Sequence, residues 1–189
     1  MLIGADISLR PTTREDAELL TGWYNDPEFL GEYYNHWPRT VDMIRNRVEE
    51  MRGPEKAQYL IVRRSDDEPL GMAGFLNPYA AEHAGMFHGI EIYYQIHPNY
   101  RRQGIATQAA CLLVNHLFSA RPIERIVGYV AEGNVPSRKV LEAAGLHYEG
   151  LHRHMNFNRG EWVNVIQLGM IRSDWVSETE YLRIRSSLR

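Results

Sequence analysis

The chain is poor in cysteine: among its 189 residues only Cys111 is one, so no internal disulfide can form. Cys111 lies in an apolar run that predicts a helix, which favours a buried small thiol over a nucleophile. The sequence also lacks an apolar run of membrane-spanning length, and its first residues lack the basic-then-apolar pattern of a signal peptide. We therefore expect a cytoplasmic protein with no membrane partner.

The chain also has little net charge. A formal net charge of −3 at pH 7 argues against a nucleic-acid-binding role driven by bulk charge, and we expect no nucleic-acid partner. Three arginines stand close to the C-terminus: Arg183, Arg185 and Arg189. A solvated helix end is a commoner origin of such a pattern than a binding patch.

Common nucleotide and metal motifs are missing as well. The chain has neither the Gly-x-Gly-x-x-Gly fingerprint of dinucleotide sites nor the Gly-Lys-Ser/Thr of Walker loops. His152 and His154 lie on one face of a predicted strand, but no carboxylate or cysteine cluster accompanies them. We therefore expect no metal site.

Apolar runs separated by breakers dominate the rest of the sequence, of which 44% is hydrophobic. They predict the order β-α-α-β-β-β-α-β-α-β-β, an α/β domain whose mixed sheet has about seven strands with helices on both faces. Residues 25–38 are predicted to be a loop, and a last helix is predicted from Ser173 to about Ser186. The predicted strands cover residues 7–11, 58–64, 70–76, 87–96, 125–130, 147–157 and 162–171.

The turn at residues 101–107 lies between a strand ended by Pro98 and a long apolar helix. Gly104 lets the backbone approach a ligand, and Arg101 and Arg102 bring positive charge. Unpaired N–H groups and the helix dipole at a helix N-terminus favour an anion. The turn therefore predicts a phosphate site, although an ordinary strand-to-helix connection would also place a glycine there.

The whole pattern resembles the GNAT superfamily of acyl-coenzyme A-dependent N-acyltransferases. Its phosphate-loop pattern, Arg/Gln-x-x-Gly-x-Gly/Ala, is matched by residues 101–106, and residues 134–146 resemble its second motif. Residues 149–150, 159–162 and 174–175 resemble the branch that acetylates the N-terminal alanine of ribosomal proteins. The resemblance spans essentially the entire chain.

The resemblance implies a GNAT-type, mostly antiparallel central sheet with a V-shaped opening between two central strands. It divides the single domain 1–189 into an acceptor side (1–57), a cofactor-binding core (58–146) and C-terminal strands with a helix (147–189). Coenzyme A would lie in the opening, between the strand ending near Ile96 and the strand at 125–130. A monomer or a homodimer would fit the family.

The resemblance also assigns the cofactor contacts. Backbone groups of Gln95, Ile96 and His97 would pair with the pantetheine arm, and Asn134 would bond to pantetheine or nearby backbone, or cap its helix. The pyrophosphate would be cradled by the turn, that is by Arg101, Arg102, Gln103, Gly104, Ile105, Ala106 and Thr107.

The implied reaction moves an acetyl group from acetyl-CoA to a primary amine by direct attack through a tetrahedral intermediate. Glu91 is the candidate base, with partial burial raising its pKa; a glutamate on a solvated edge strand is the alternative. A backbone N–H of the same strand would stabilise the oxyanion. The tyrosine that protonates the thiolate in many relatives is replaced here by Leu141, so Ser137 is the candidate acid, unless it only bonds to the backbone.

The acceptor wall is predicted around Glu32, Tyr33, Tyr34 and Trp37, whose charge and aromatic faces would favour an amine. The acceptor is a protein N-terminus or a small molecule such as an amino-sugar, a polyamine or an antibiotic. Two alternatives stay open: a catalytically silent acyl-CoA-binding sensor or subunit, and a transferase that uses a different acyl-CoA.

Overall fold

A computed structural model describes residues 1–77 and 89–176. Its strands are Leu2–Ile3 (β1), Ile7–Pro11 (β2), Lys56–Arg63 (β3), Pro69–Leu76 (β4), Gly89–Ile96 (β5), Arg125–Ala131 (β6), His147–Asn158 (β7) and Glu161–Ile171 (β8). Its helices are Ala17–Asn25 (α1), Pro27–Leu30 (α2), Val41–Glu50 (α3), Ile105–Ala120 (α4) and Val135–Ala143 (α5). The strands form one sheet in the order β1-β2-β3-β4-β5-β6-β8-β7.

Neighbouring strands of this sheet are antiparallel except for β5 and β6, which run parallel. The predicted fold class, a mixed and mostly antiparallel sheet with helices, is confirmed. The strand number was low by one, because β1 has only two residues and is too short to show an alternating pattern. The boundary predicted between residues 57 and 58 falls inside β3.

Two apolar layers cover the two faces of the sheet. On β3 the pleat sends Ile61 to the layer beneath α4, while its neighbours Leu60 and Val62 join the layer beneath α1 and α3. The α4 layer is the larger and includes Leu113, Leu117 and other fully buried side chains. Helices on both faces therefore hold the centre of the sheet rigid, where β5 and β6 lie.

The segment predicted to be a loop, residues 25–38, contains the short helix α2, so that prediction was wrong in part. Asp26 caps the helix by accepting a hydrogen bond from the Glu28 N–H at 2.9 Å, and Pro27 occupies the first turn. Gly31 ends the helix with a φ of 72°. A single turn carries too few apolar positions to show a helical period. Its Asp-Pro start and its Gly end are nevertheless helix-boundary signals that the sequence contains.

The helix predicted from Ser173 is absent where the structure describes it. Residues Arg172–Asp174 form one 3₁₀ turn, and Trp175 follows in extended conformation. Trp175 stacks on Phe118, and its indole donates to Asn115 Oδ1 at 3.3 Å. The remainder of that prediction and the three C-terminal arginines lie outside the described residues. Among the helices of the described ranges, none combines the length and the apolar character that crossing a membrane requires.

Candidate active site

The centre of the sheet opens between β5 and β6. These strands pair only from Gly89 to Glu91 of β5 and from Arg125 to Val127 of β6, and beyond that they separate. Successive strand residues direct their N–H and C=O groups to opposite edges. Since the His97 N–H donates to Leu70 O in β4 at 2.9 Å, the alternate residues Tyr94 and Ile96 direct theirs toward the opening.

This alternation refines the predicted pantetheine contacts. Of Gln95, Ile96 and His97, only Ile96 directs its backbone groups to the opening, because those of the other two face β4. The Ile96 carbonyl already accepts a hydrogen bond from Arg101 Nε at 3.1 Å. The free backbone edge therefore runs through Tyr94 and Ile96 rather than through all three predicted residues.

The turn before α4 has the geometry of an anion cradle. Gly104 caps α4 with a φ of 74°, and a Cβ at this position would meet no heavy atom within 4 Å. The first backbone hydrogen bond of the helix runs from the Gln108 N–H to Gly104 O at 3.0 Å. The N–H groups of Ile105, Ala106 and Thr107 therefore have no partner inside the helix, as a bound pyrophosphate requires.

The two arginines of the turn behave differently. Arg101 donates from Nη2 to the carbonyls of Glu28 and Phe29, both at 2.9 Å, so its guanidinium joins α2 to the end of β5. Gln95 Nε2 donates to the same Phe29 carbonyl at 2.7 Å. Arg102, with a φ of 63°, has an exposed side chain with no bond to another described residue. Arg102 is therefore the arginine that remains available to a phosphate.

The start of α5 faces β5 across the opening. The side chain of Asn134 caps the helix by accepting from the Ser137 N–H at 3.2 Å, which is the capping role considered for it from the sequence. The Tyr94 hydroxyl lies 3.0 Å from Ser137 Oγ and 3.0 Å from Ser137 O. The Ser137 hydroxyl therefore contacts the Tyr94 side chain, while the N–H and carbonyl of Ser137 bond to Asn134 and Tyr94.

Tyr94 is a candidate functional residue that the sequence analysis missed. Burial raises the pKa of its phenol, and the hydrogen bond to Ser137 opposes that shift. The expected tyrosine position, Leu141, is 2% exposed and packs against Gly128, so α5 offers no hydroxyl there. Strand alternation is the signal that could have indicated Tyr94. Tyr93 and Tyr94 are neighbours on β5, so their side chains project to opposite faces of the sheet.

A cavity of about 250 Å³ lies beside the opening. Its walls are Tyr24, Leu30, Tyr34, Asn35, Trp37, Arg39, Arg47, Met72, Leu76, Glu91, Tyr93, Tyr94 and Gln95. Of the four predicted acceptor residues, Tyr34 and Trp37 line it, whereas Glu32 and Tyr33 do not. The Tyr33 hydroxyl instead donates to Gly133 O at 2.8 Å, joining this loop to the start of α5.

Glu91 is the acidic residue of the cavity wall. Removal of water from around its carboxylate raises its pKa above the ordinary value of 4.5. In the described part of the chain the carboxylate forms no ion pair, so no neighbouring cation offsets the effect of burial. The loss of water around the Tyr34 hydroxyl raises its pKa too, and the Glu91 charge adds to that shift.

The loop that carries Tyr34 and Trp37 is tied to distant parts of the chain. Asn35 Nδ2 donates to Phe157 O at 2.6 Å, and Asn158 Nδ2 donates to Glu32 O at 2.7 Å. At its other end the backbone of Arg39 exchanges two hydrogen bonds of 2.8 Å with the Asn25 side chain. The cavity wall is thus fixed by the β7–β8 hairpin as well as by α1.

The predicted strand histidines take part in other contacts. His152 Nε2 lies 2.9 Å from Gln167 Oε1, and its ring packs edge-on against Tyr129. His154 has a positive φ of 50° at an irregularity of β7, so it does not continue a regular strand face. Within residues 1–77 and 89–176, no three His, Cys, Asp or Glu side chains are grouped so that they could hold a metal ion.

Comparison with known proteins identifies the family. A family model described as "Acetyltransferase (GNAT) domain" matches residues 6–147. The chain belongs to the GNAT acetyltransferase family. This GNAT protein is an acyl-CoA-dependent N-acyltransferase, and acetyl-CoA is its co-substrate. The turn at Gly104 and the opening between β5 and β6 fit that co-substrate, since they offer unpaired N–H groups for its phosphates and a free strand edge for its amides.

Individual relatives cover nearly the whole GNAT chain. The Bacillus licheniformis protein named "Uncharacterized N-acetyltransferase p20" is 26% identical over 174 residues, 89% of this chain and 94% of that protein. Mycobacterium smegmatis RimJ, solved in complex with CoA-disulfide, has a TM-score of 0.79 at 21% identity and covers 95% of this chain and 89% of its own. Spermidine N-acetyltransferase from Vibrio cholerae, in complex with CoA and spermine, has a TM-score of 0.78 at 15% identity. That match covers 90% of this chain and 98% of the Vibrio chain. At these identities the two structures show a shared fold, so the acceptor must be inferred from this chain's own cavity.

Proposed function

We propose that the enzyme transfers an acetyl group from acetyl-CoA to a primary amine that enters the cavity beside Glu91. The observation that carries this proposal is the position of the cavity, whose wall includes Glu91, Tyr94 and Gln95 of β5, the strand that borders the opening. An amine in the cavity and a thioester in the opening would therefore meet on β5. Such an arrangement favours direct attack over a covalent enzyme intermediate.

The chain's part in binding the donor is to supply backbone donors. The unpaired N–H groups of Ile105, Ala106 and Thr107, with the free guanidinium of Arg102, would hold the pyrophosphate. The outward Tyr94 carbonyl and Ile96 N–H would bond to the pantetheine amides. When bound, acetyl-CoA supplies an acetyl group activated as a thioester.

Glu91 is assigned the role of base. An amine must lose its proton before or during attack, and a carboxylate with a raised pKa accepts that proton more readily near neutral pH. The proton can pass directly or through one water in the cavity. The N–H groups of β5 that face the opening, such as that of Tyr94, are placed to stabilise negative charge on the acetyl oxygen.

Ser137 and Tyr94 are assigned to the leaving sulfur. Their hydroxyls are 3.0 Å apart. Tyr94 can therefore donate to Ser137 Oγ, which leaves the Ser137 proton available to the sulfur in the opening. The proton that Ser137 delivers to the sulfur would be replaced from Tyr94, and Tyr94 would recover its proton from solvent as coenzyme A leaves, since burial disfavours its phenolate. This pair would do the work that the tyrosine at the position of Leu141 does in the commoner pattern.

Release of free thiol in the presence of a panel of primary amines tests the proposal. We expect amine-dependent thiol release with equal formation of N-acetyl product by mass spectrometry. Tight coenzyme A binding without turnover on any amine would contradict it and favour the silent sensor, the reading that the missing tyrosine supports. Turnover with succinyl-CoA and none with acetyl-CoA would show that the enzyme transfers a succinyl group instead of an acetyl group.

A further inference from the structure

Two arginines bring positive charge to the wall of the cavity. Arg39 Cζ lies 4.8 Å from the ring centroid of Tyr24, and Arg47 Cζ lies 5.8 Å from the same centroid. Both guanidinium groups therefore contact one aromatic ring, and all three side chains line the cavity. Positive charge at a partly buried site is stabilised by a nearby anion.

No acidic side chain of the described residues neutralises this pair. The ion pairs there involve other arginines, and neither Arg39 nor Arg47 takes part in one. Arg47 Nε and the Tyr93 hydroxyl are buried and have no hydrogen-bond partner within residues 1–77 and 89–176. A buried donor without a partner is destabilising, so these groups are suited to a ligand that accepts hydrogen bonds.

The ring and the backbone that carry these groups are held by contacts within the chain. Tyr24 is 7% exposed, and its hydroxyl accepts from Gln58 Nε2 at 3.3 Å. The Arg39 backbone is held by the Asn25 side chain, and Arg47 lies on α3. Arginines carried by held backbone lose less conformational entropy on binding than arginines on a mobile segment, which favours binding of an anion.

The charge distribution of the cavity disfavours a polyamine. Among the residues that the structure describes, Glu91 is the single acidic residue that lines the cavity, whereas two arginines line it. One carboxylate suits one amine, but two guanidinium groups would repel the further cationic centres of a polyamine. Tyr93 also lines the cavity; burial is the main cause that raises the pKa of its hydroxyl, while the Arg47 charge opposes that shift and the Glu91 charge adds to it.

We propose that the acceptor is a small molecule that carries an anionic group, a carboxylate or a phosphate, in addition to its amine. Arg39, Arg47 and the Tyr93 hydroxyl bind the anion, while the amine lies at Glu91; this assignment rests on the proposed acetyl transfer. A cavity of about 250 Å³ is just below the usual range for ligand pockets, roughly 300–1,000 Å³, which fits a molecule the size of an amino acid.

Matched acceptor pairs test the proposal, because each pair differs only in the anion. The carboxylate arm compares phenylalanine with phenethylamine, methionine with 3-(methylthio)propylamine, and lysine with cadaverine. The phosphate arm compares O-phosphoethanolamine with ethanolamine. A series from glycine through 4-aminobutyrate to 6-aminohexanoate varies the spacing between amine and carboxylate. We expect kcat/KM at least tenfold higher for the anionic member in one arm, and the arm identifies the anion.

Four variants test whether the arginines cause that preference. Loss of a charge-assisted hydrogen bond weakens binding by about 10- to 100-fold, so we expect Arg39→Gln and Arg47→Gln to raise KM for the anionic acceptor by that factor. Activity on the matched amine that lacks the anionic group should fall by much less than tenfold. Arg45→Gln is the matched control, because Arg45 lies on the same helix but pairs with Asp42 at 2.9 Å. Arg47→Lys retains the charge and separates the loss of binding from a failure to fold.

Calorimetric titration of the CoA-loaded enzyme with the same acceptors separates this inference from the proposed transfer. Binding of an anionic acceptor that Arg47→Gln abolishes supports the anion site even where no amine is turned over. Equal kcat/KM within every pair, or preference for spermidine, overturns the inference while leaving acetyl transfer intact. A peptide with an acidic second residue that is used better than every small amine also overturns it.

Discussion

At the scale of single residues, the environment of Glu91 has opposite consequences for activity and stability. Burial raises the pKa of its carboxyl, which suits a base but disfavours the ionised form in the folded protein. A raised folded-state pKa contributes stability below the unfolded value, and that contribution is lost as the pH rises through the folded value. Ionised Glu91 is therefore destabilising at the pH where the enzyme would use it.

Glu91→Gln is expected to lower kcat by about 10²- to 10⁴-fold, the usual contribution of a general base. It should also raise the melting temperature at pH 8, with a gain that shrinks as the pH falls toward 4.5, the ordinary glutamate pKa. Steady-state kinetics and thermal unfolding from pH 4 to 8 measure both. A variant that keeps full activity with the wild-type pH profile would remove Glu91 from the mechanism.

The hydroxyl pair of Tyr94 and Ser137 leads to a second prediction at the same scale. Ser137→Ala should lower kcat much more than it raises KM for acetyl-CoA, since the proton is needed only as the thiolate leaves. Tyr94→Phe should reduce kcat less, because Ser137 still carries a proton. The double variant should resemble Ser137→Ala, and additive losses would mean that the two hydroxyls act independently.

At the scale of elements, the start of α4 combines a backbone requirement with a binding one. Gly104→Ala should raise KM for acetyl-CoA about tenfold with little change in kcat, because the new methyl projects from the N-terminus of the helix into space left open for the donor. The substitution also strains the backbone at a φ of 74°, by roughly 1–2 kcal/mol.

Gly160→Ala provides the matched control for this prediction. Gly160 has a φ of 88° in the β7–β8 turn, and a Cβ there also meets nothing within 4 Å. It should therefore destabilise the fold to a similar degree while leaving KM for acetyl-CoA unchanged. Donor KM values and melting temperatures of both variants check this prediction. If both variants raise KM for acetyl-CoA to the same extent, the Gly104 effect is general backbone strain.

The elements also show which features a sequence can predict. The Pro98-terminated strand, the Gly104 turn and the Asn134 cap are local, because each depends on neighbouring residues, and each was predicted. The bonding of Arg101 to carbonyls of α2 and the contact between Tyr94 and Ser137 were not. These contacts join residues from 43 to 73 positions apart, and no periodic pattern records them.

At the scale of the whole molecule, the acceptor cavity depends on chain segments that are far apart in sequence. The loop with Tyr34 and Trp37 is bonded to the tip of the β7–β8 hairpin, at sequence separations of 122 and 126 residues. The sequence predicted Tyr33, Tyr34 and Trp37 of this loop at the cavity wall, and of these Tyr34 and Trp37 line it. Tyr33 and Tyr34 are adjacent, and only the fold directs the first to Gly133 and the second to Glu91.

Asn158→Ala tests whether the hairpin positions the acceptor wall. It removes the 2.7 Å bond from Nδ2 to Glu32 O, and one hydrogen bond of about 1 kcal/mol corresponds to a roughly fivefold rise in acceptor KM. Donor KM should not change, because the Gly104 turn lies on a separate element. Asn156→Ala is the control, since Asn156 is exposed on the same strand and pairs with Val163. If both variants shift acceptor KM and donor KM alike, the hairpin stabilises the fold as a whole. If only Asn158→Ala shifts KM, and only for the acceptor, an edge hairpin sets the shape of a cavity at the centre of the sheet.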